Sequence, residues 1–217
     1  MQRNARRRTL LFAVTTLTLH ASDSDAGATS ATVTISADSK PGDLIVLNYH
    51  TDNSNYLPAN EDPLDFTSIG YFFISPATPA SKMSISAKLA DDGDPGRDIY
   101  IDGGNASDNI SLFEFRGNNR IKSFAAQDYA EEGAAGNPAA QVCNASLGAV
   151  PLIVLGAYGN ESNVTTSTFS TTADGTLDTV ELISKYKIYN SSPADTTIDM
   201  DDDGARNMLA SCYIEVS

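Results

Sequence analysis

The chain has 217 residues, 41% of them hydrophobic and none of them Trp, and its formal net charge is −14. That is enough apolar material for one core of the larger all-β kind, and an acidic body of this charge repels DNA and RNA. The charge is also polarised: Arg3, Arg6, Arg7 and Arg8 all precede the first acid, Asp23, so the remainder is more acidic than the whole.

The opening MQRNARRRTLLFAVTTLTLHASDSDAGA is basic and then apolar over residues 9–19. This layout fits a secretory signal peptide, but Thr9, Thr15, Thr16 and Thr18 dilute the apolar run, which is also too short to span a bilayer. The alternative, preferred here, is an arm rich in β-formers that adds to a neighbouring sheet. In that arm, Arg3, Arg6, Arg7 and Arg8 make charge contacts with an acidic partner surface. Leu10, Leu11, Phe12, Val14, Leu17 and Leu19 supply apolar anchoring. The polar run SDSDAGATS reads as a linker, which divides the chain into an arm and linker (1–30) and a β domain (31–217). On this division, removing residues 1–22 leaves the domain folded.

From residue 31 onward, strand-like runs alternate with turn clusters. ATVTISA (31–37) alternates, with Val33 and Ile35 on one face. LIVLNYH (44–50) is continuously apolar at its start, as in a strand covered on both sides. A loop with two prolines follows, then FTSIGYFFI (66–74). KMSISAKLA (82–90) alternates strictly, and DDGDPGRD after it is turn chemistry. NISLFEFRG (109–117) presents apolar side chains to both faces. The segment 123–148 reads as a short helix or a long loop. VPLIVLGAYG (150–159) is a second buried run, and LDTVELISKYKIYN, TTIDM and NMLASCYIEV complete the series. About ten short strands with Gly, Asn and Asp turns predict an antiparallel β-sandwich, jelly-roll-like, with an extended N-terminal arm.

Signatures of chemistry are sparse. His20 and His50 lie in no metal-ligand spacing, and no H-E-x-x-H, C-x-x-C, G-x-S-x-G or Walker motif occurs. The acids crowded between Asp91 and Asp108 read as solvated turns. Asp199-Met-Asp201-Asp202-Asp203-Gly204 matches the first half of an EF-hand loop, but Ala210 stands where the bidentate acid belongs. It reads as a hairpin turn between two strands, with Asp199, Asp201 and Asp203 as candidate ligands for a calcium ion. No cofactor is otherwise expected. Cys143 and Cys212 are candidates for one disulfide, or two small buried hydrophobes. Six N-x-[ST] sequons, at Asn105, Asn109, Asn144, Asn160, Asn163 and Asn190, are unremarkable in so Ser-, Thr- and Asn-rich a chain.

Several stretches together resemble structural proteins of tailed phages of marine bacteria. SKPGDLIVLNYH followed by FTSIG is similar to a GDL turn feeding a buried strand and then an aromatic-led strand, with Phe66 in the aromatic place. SISAKLADDGD, LFEFRGN and KYKIYNSSPADTTIDMDDDG are similar to later segments. The resemblance runs over residues 32–217. It implies a β-sandwich virion component without enzyme activity and carries over no catalytic or binding residue. The expectation is therefore a homo-oligomeric virion protein, a head decoration or cement protein that contacts the major capsid protein through its arm. It has no membrane span, and its main domain binds no nucleic acid. The alternative is a secreted or fibre-type surface subunit, glycan-binding or pilus-like, exported by a cleaved signal.

Overall fold

The computed structural model describes residues 16–51, 66–73, 82–102, 107–117, 121–132, 138–160, 164–201 and 207–216. Among them the protein is all-β, as expected, with fifteen strands. In chain order these are β1 (Thr18–Gly27), β2 (Ala31–Thr34), β3 (Leu44–Thr51), β4 (Thr67–Phe73) and β5 (Lys82–Leu89). Then come β6 (Asp98–Ile101), β7 (Asp108–Arg116), β8 (Ile121–Glu132), β9 (Gln141–Cys143) and β10 (Leu152–Gly159). The last five are β11 (Ser167–Phe169), β12 (Gly175–Asp178), β13 (Leu182–Tyr189), β14 (Thr196–Met200) and β15 (Asn207–Val216).

Two five-stranded antiparallel sheets, ordered β1-β7-β3-β5-β4 and β12-β13-β10-β15-β8, face each other. Alternate side chains meet between them: Leu44 and Val46 of β3, Met83, Ile85 and Ala87 of β5, and Phe113 and Phe115 of β7. Opposite lie Ile153, Leu155 and Ala157 of β10, Tyr186 of β13, and Met208 to Val216 at every second position of β15. The Tyr186 ring packs edge-on against Phe113 and Phe115, with centroids 5.0 and 5.2 Å away.

The outer faces of both sheets are covered as well. The ribbon β2–β6 lies over the first sheet, where Val33, Ile35 and Ile99 pack on Ile45, Leu47, Ile110 and Leu112. The small sheet β11-β14-β9 lies over the second, placing Ile198, Met200 and Phe169 against Tyr158, Ile183 and Leu209. This layering explains the continuous apolar runs: all eight residues of β3 and all eight of β10 are buried, because each strand has a core on both sides. Gly156 permits the close approach of the outer sheet. A Cβ there would come within 2.8 Å of Ile198 Cδ1.

Four expectations need correction. Residues 22–30, read as a linker, mostly belong to β1, which pairs along its length with β7 of its own chain. Segment 123–148 begins as strand β8 and carries β9, and its helix is a single 3-10 turn at Ala145–Leu147. The strands flanking the Asp-rich stretch do not form a hairpin: β14 pairs with β9 and β11, whereas β15 pairs with β10 and β8, so the chain crosses between layers there. The acids between Asp91 and Asp108 are also not all solvated. Asp94 is 1% exposed and organises its turn, accepting from Lys88 Nζ at 2.9 Å and from the Asp91 amide at 2.7 Å, while Gly96 (φ +74°) supplies the left-handed residue. Asp108 is fully buried.

Candidate functional site

Arg3, Arg6, Arg7, Arg8, Leu10, Leu11, Phe12 and Val14 lie outside the described residues. The chain enters the description at residue 16, and its root is firm. Leu17 is 2% exposed and belongs to the sandwich core. Its amide donates to Asn190 Oδ1 at 3.0 Å, and Asn190 Nδ2 donates back to the Leu17 carbonyl at 3.4 Å. Leu19, two residues on, is 38% exposed on the edge strand. Further along β1, Asp25 and Asp23 accept from the backbone amides of Thr32 (2.9 Å) and Thr34 (2.8 Å). These carboxylates cap an edge of β2 that would otherwise offer bare donors to another chain. The polar alternation that looked like a linker is thus an edge strand whose acids fasten the ribbon above it.

The Asp-rich stretch does not assemble a cation site among the described residues. Asp199 turns its carboxylate to the Met200 amide at 3.0 Å, Asp201 is exposed, and Asp203 lies outside the described residues. No cluster of three or more His, Cys, Asp or Glu side chains with ligating geometry occurs among the described residues.

Cys143 and Cys212 are both buried free thiols. Cys212 faces the sandwich core, whereas Cys143 sits beneath the outer three-stranded sheet with Leu152 and Val154. Burial pushes the Cys143 thiol up to about 12, helped by the nearby Asp195 carboxylate. Cys212 is raised as well, first by its complete burial and then by Cys143. Neither is a thiolate near neutral pH, so neither has the character of a nucleophile.

One arrangement escaped the sequence reading. At the end of the sandwich opposite Leu17, the interior turns polar. Asn109 Nδ2 donates to Glu181 Oε2 at 3.0 Å, and the Glu181 amide donates to Asn109 Oδ1 at 3.2 Å. His50 Nδ1 lies 3.7 Å from the same carboxylate oxygen. Asn48 Nδ2 donates to Ser184 Oγ at 3.0 Å, and Asn160 Nδ2 to Asn207 Oδ1 at 2.6 Å. His50 is fully buried, and burial lowers its pKa to about 3, so the imidazole is neutral. The Asn109–Glu181 and Asn48–Ser184 bonds tie the two large sheets together where apolar packing gives out, and Asn160–Asn207 joins the ends of β10 and β15 within one sheet. Gly159 makes room: a Cβ there would meet His50 Cδ2 at 3.0 Å and Met83 Sδ at 3.2 Å. The one available signal was Asn48 and His50 sharing a face with Leu44 and Val46 in a strand otherwise apolar on that side.

A surface cleft of about 460 Å³ opens beside this cluster, between Ser24–Ala26 of β1 and the turn Asp178–Val180. A smaller hollow of about 250 Å³ reaches Asn109 and Glu181. The cleft is walled by hydroxyls and carboxylates, and the imidazole stays sealed below it. Compared with family models, with curated proteins and with solved structures, the chain matches none.

Proposed function

We propose that this chain is a non-enzymatic structural subunit of a phage virion, a head decoration or cement protein held to the major capsid protein through its N-terminal segment. The observation that carries the reading is the root of that segment. Leu17 is sealed in the core and clipped to Asn190, so whatever precedes it leaves a rigid body from a fixed point. A doubly covered pair of sheets suits a part that bears load, and an acidic body with a basic head suits oriented docking on a shell. The sequence resemblance points the same way.

The alternative, a secreted or fibre-type subunit released by signal cleavage, draws on the polar cleft as a place for a glycan. Cleavage near Ala21 or Ser22 would strip Leu17 from the core and the first residues from β1. That cost weighs against it.

The test is incorporation into capsid particles. Full-length protein and a chain lacking residues 1–15 are each incubated with particles stripped of decoration and then sedimented. Full-length protein should co-sediment, and the shortened chain should stay in the supernatant while remaining folded. Equal co-sedimentation of both would refute anchoring through this segment. A mature N-terminus near Ala21, found by mass spectrometry of native material, would favour the secreted reading.

A further inference from the structure

Large hydrophobic side chains are exposed at six described positions, and two of them, Leu147 and Val150, fall within the single connection from β9 to β10. Leu147 is 80% exposed, the most of the six. This connection is not loose. The Ser146 amide and hydroxyl both donate to Asp195 Oδ1, at 2.9 and 2.6 Å, and the Ala149 amide donates to Glu215 Oε1 at 2.6 Å. Hydrogen bonds on either side therefore hold Leu147 and Val150 outward. An apolar patch presented by a braced loop marks a contact surface.

The patch lies at the end of the sandwich from which the N-terminal segment departs. Leu152 pairs with Tyr189. Asn190, the next residue, therefore lies across from Pro151, beside Val150, and it is Asn190 that clips Leu17. From there β1 runs into the sheet, so the preceding chain starts next to the patch. Residues 9–19, TLLFAVTTLTL, contain no Gly, Pro, Asn, Asp or Ser. A run of β-formers without a turn former favours an extended course over doubling back onto its own domain.

We propose that the apolar stretch Leu10–Val14 of one copy seats on the exposed Leu147 and Val150 of a second copy of this chain. Root and patch share one end, so two copies meeting end to end exchange their segments reciprocally, the self-complementary contact of a two-fold dimer. Arg3, Arg6, Arg7 and Arg8 then project past the joint and remain available to the particle surface. This rests on the reading of the chain as a self-assembling structural subunit.

Sedimentation velocity on the full-length protein alone tests it. The full chain should be a dimer. Leu147→Asp and Leu11→Asp should each weaken dimerisation by about tenfold or more, as losing ~1.4 kcal/mol or more of docking energy implies. Leu147 is exposed, so its substitution should leave each chain folded. A double variant, Phe12→Cys with Leu147→Cys, should form covalent dimers on mild oxidation. A monomeric full chain, or a disulfide confined within single chains, would overturn the proposal. A monomeric chain that still binds particles would overturn this inference and leave the decoration reading standing. A dimer that fails to bind particles would do the reverse.

Discussion

His50 should make stability fall as the solution is acidified, and by an amount that can be worked from its burial. The imidazole is fully inaccessible, and burial lowers its pKa from 6.5 to about 3, despite the Glu181 carboxylate 3.7 Å from Nδ1. The folded pKa is thus depressed below the unfolded one. Above pH 6.5 both states are neutral and the contribution to stability is whole. As pH falls from 6.5 toward 3, the unfolded chain takes up a proton that the folded chain refuses, and the balance shifts toward unfolding. Each pH unit inside that window removes about 1.4 kcal/mol. Going from pH 6.5 to pH 4 therefore removes roughly 3 kcal/mol, a large share of the stability of an ordinary domain. Urea titrations of the protein and of His50→Gln at both pH values isolate the term, because the other carboxylates titrate in both and cancel. The variant should lose roughly 3 kcal/mol less than the parent over this interval. Parallel losses would refute the assignment. The chain has only two histidines, so a proton NMR titration gives a second reading: one imidazole should stay unprotonated down to pH 4.

Other outcomes follow from the core and the root. Leu17→Ala, which empties a site that is 2% exposed, should cost about 3 kcal/mol in chemical denaturation, and a loss under ~0.5 kcal/mol would place Leu17 outside the core. Removal of residues 1–15 should leave the domain folded, with the melting temperature of the dissociated full chain. Removal of 1–22 should lower it markedly, because it takes Leu17 and the start of β1, contrary to the arm boundary read from the sequence. Asp94→Ala should cost about 2 kcal/mol, since it leaves the nearly buried Lys88 ammonium only the longer contact with Asp91 at 3.6 Å and frees the Asp91 amide, while Lys88→Met should cost less. Both cysteines should resist a thiol reagent in the folded protein and react only in denaturant, with no change in stability on adding reductant.

The sandwich was legible because its strands carry two kinds of pattern. Residues 82–90 alternate, and residues 44–50 and 152–159 do not, yet Ser84, Ser86 and Lys88 are buried as well, so the alternation marks a polar second face and not an exposed one. What the patterns could not carry is which layer a strand joins. TTIDM and NMLASCYIEV flank a good turn sequence, yet they enter different sheets, because Ile198 and Met200 are needed over Tyr158 and Leu209 rather than beside β15. Local turn chemistry lost to the burial of an outer face. Ser22–Gly27 misled in the opposite sense. Asp23 and Asp25 look like solvated linker residues until their acceptors are seen on the amides of Thr32 and Thr34. The cluster of His50, Asn109 and Glu181 was invisible for a simpler reason. Its members come from three separate parts of the chain: pairing of β3 with β7 sets His50 across from Asn109, and the stacking of one sheet on the other brings Glu181 to both.

The double covering also bears on where function can reside. Over β3 and β10, each with a core on both sides, neither sheet has a free face to offer a partner. Edges and ends are what remain. On the β1 side, edge amides of β2 are capped by Asp23 and Asp25, which discourages strand addition there. The end near His50 is closed by amide and carboxylate hydrogen bonds beneath a polar cleft. At the Leu17 end, a chain with an apolar stretch and four arginines departs beside the braced, exposed side chains of Leu147 and Val150. There the fold leaves apolar surface uncovered next to a chain able to cover it. Contact with other molecules is therefore best sought at that end.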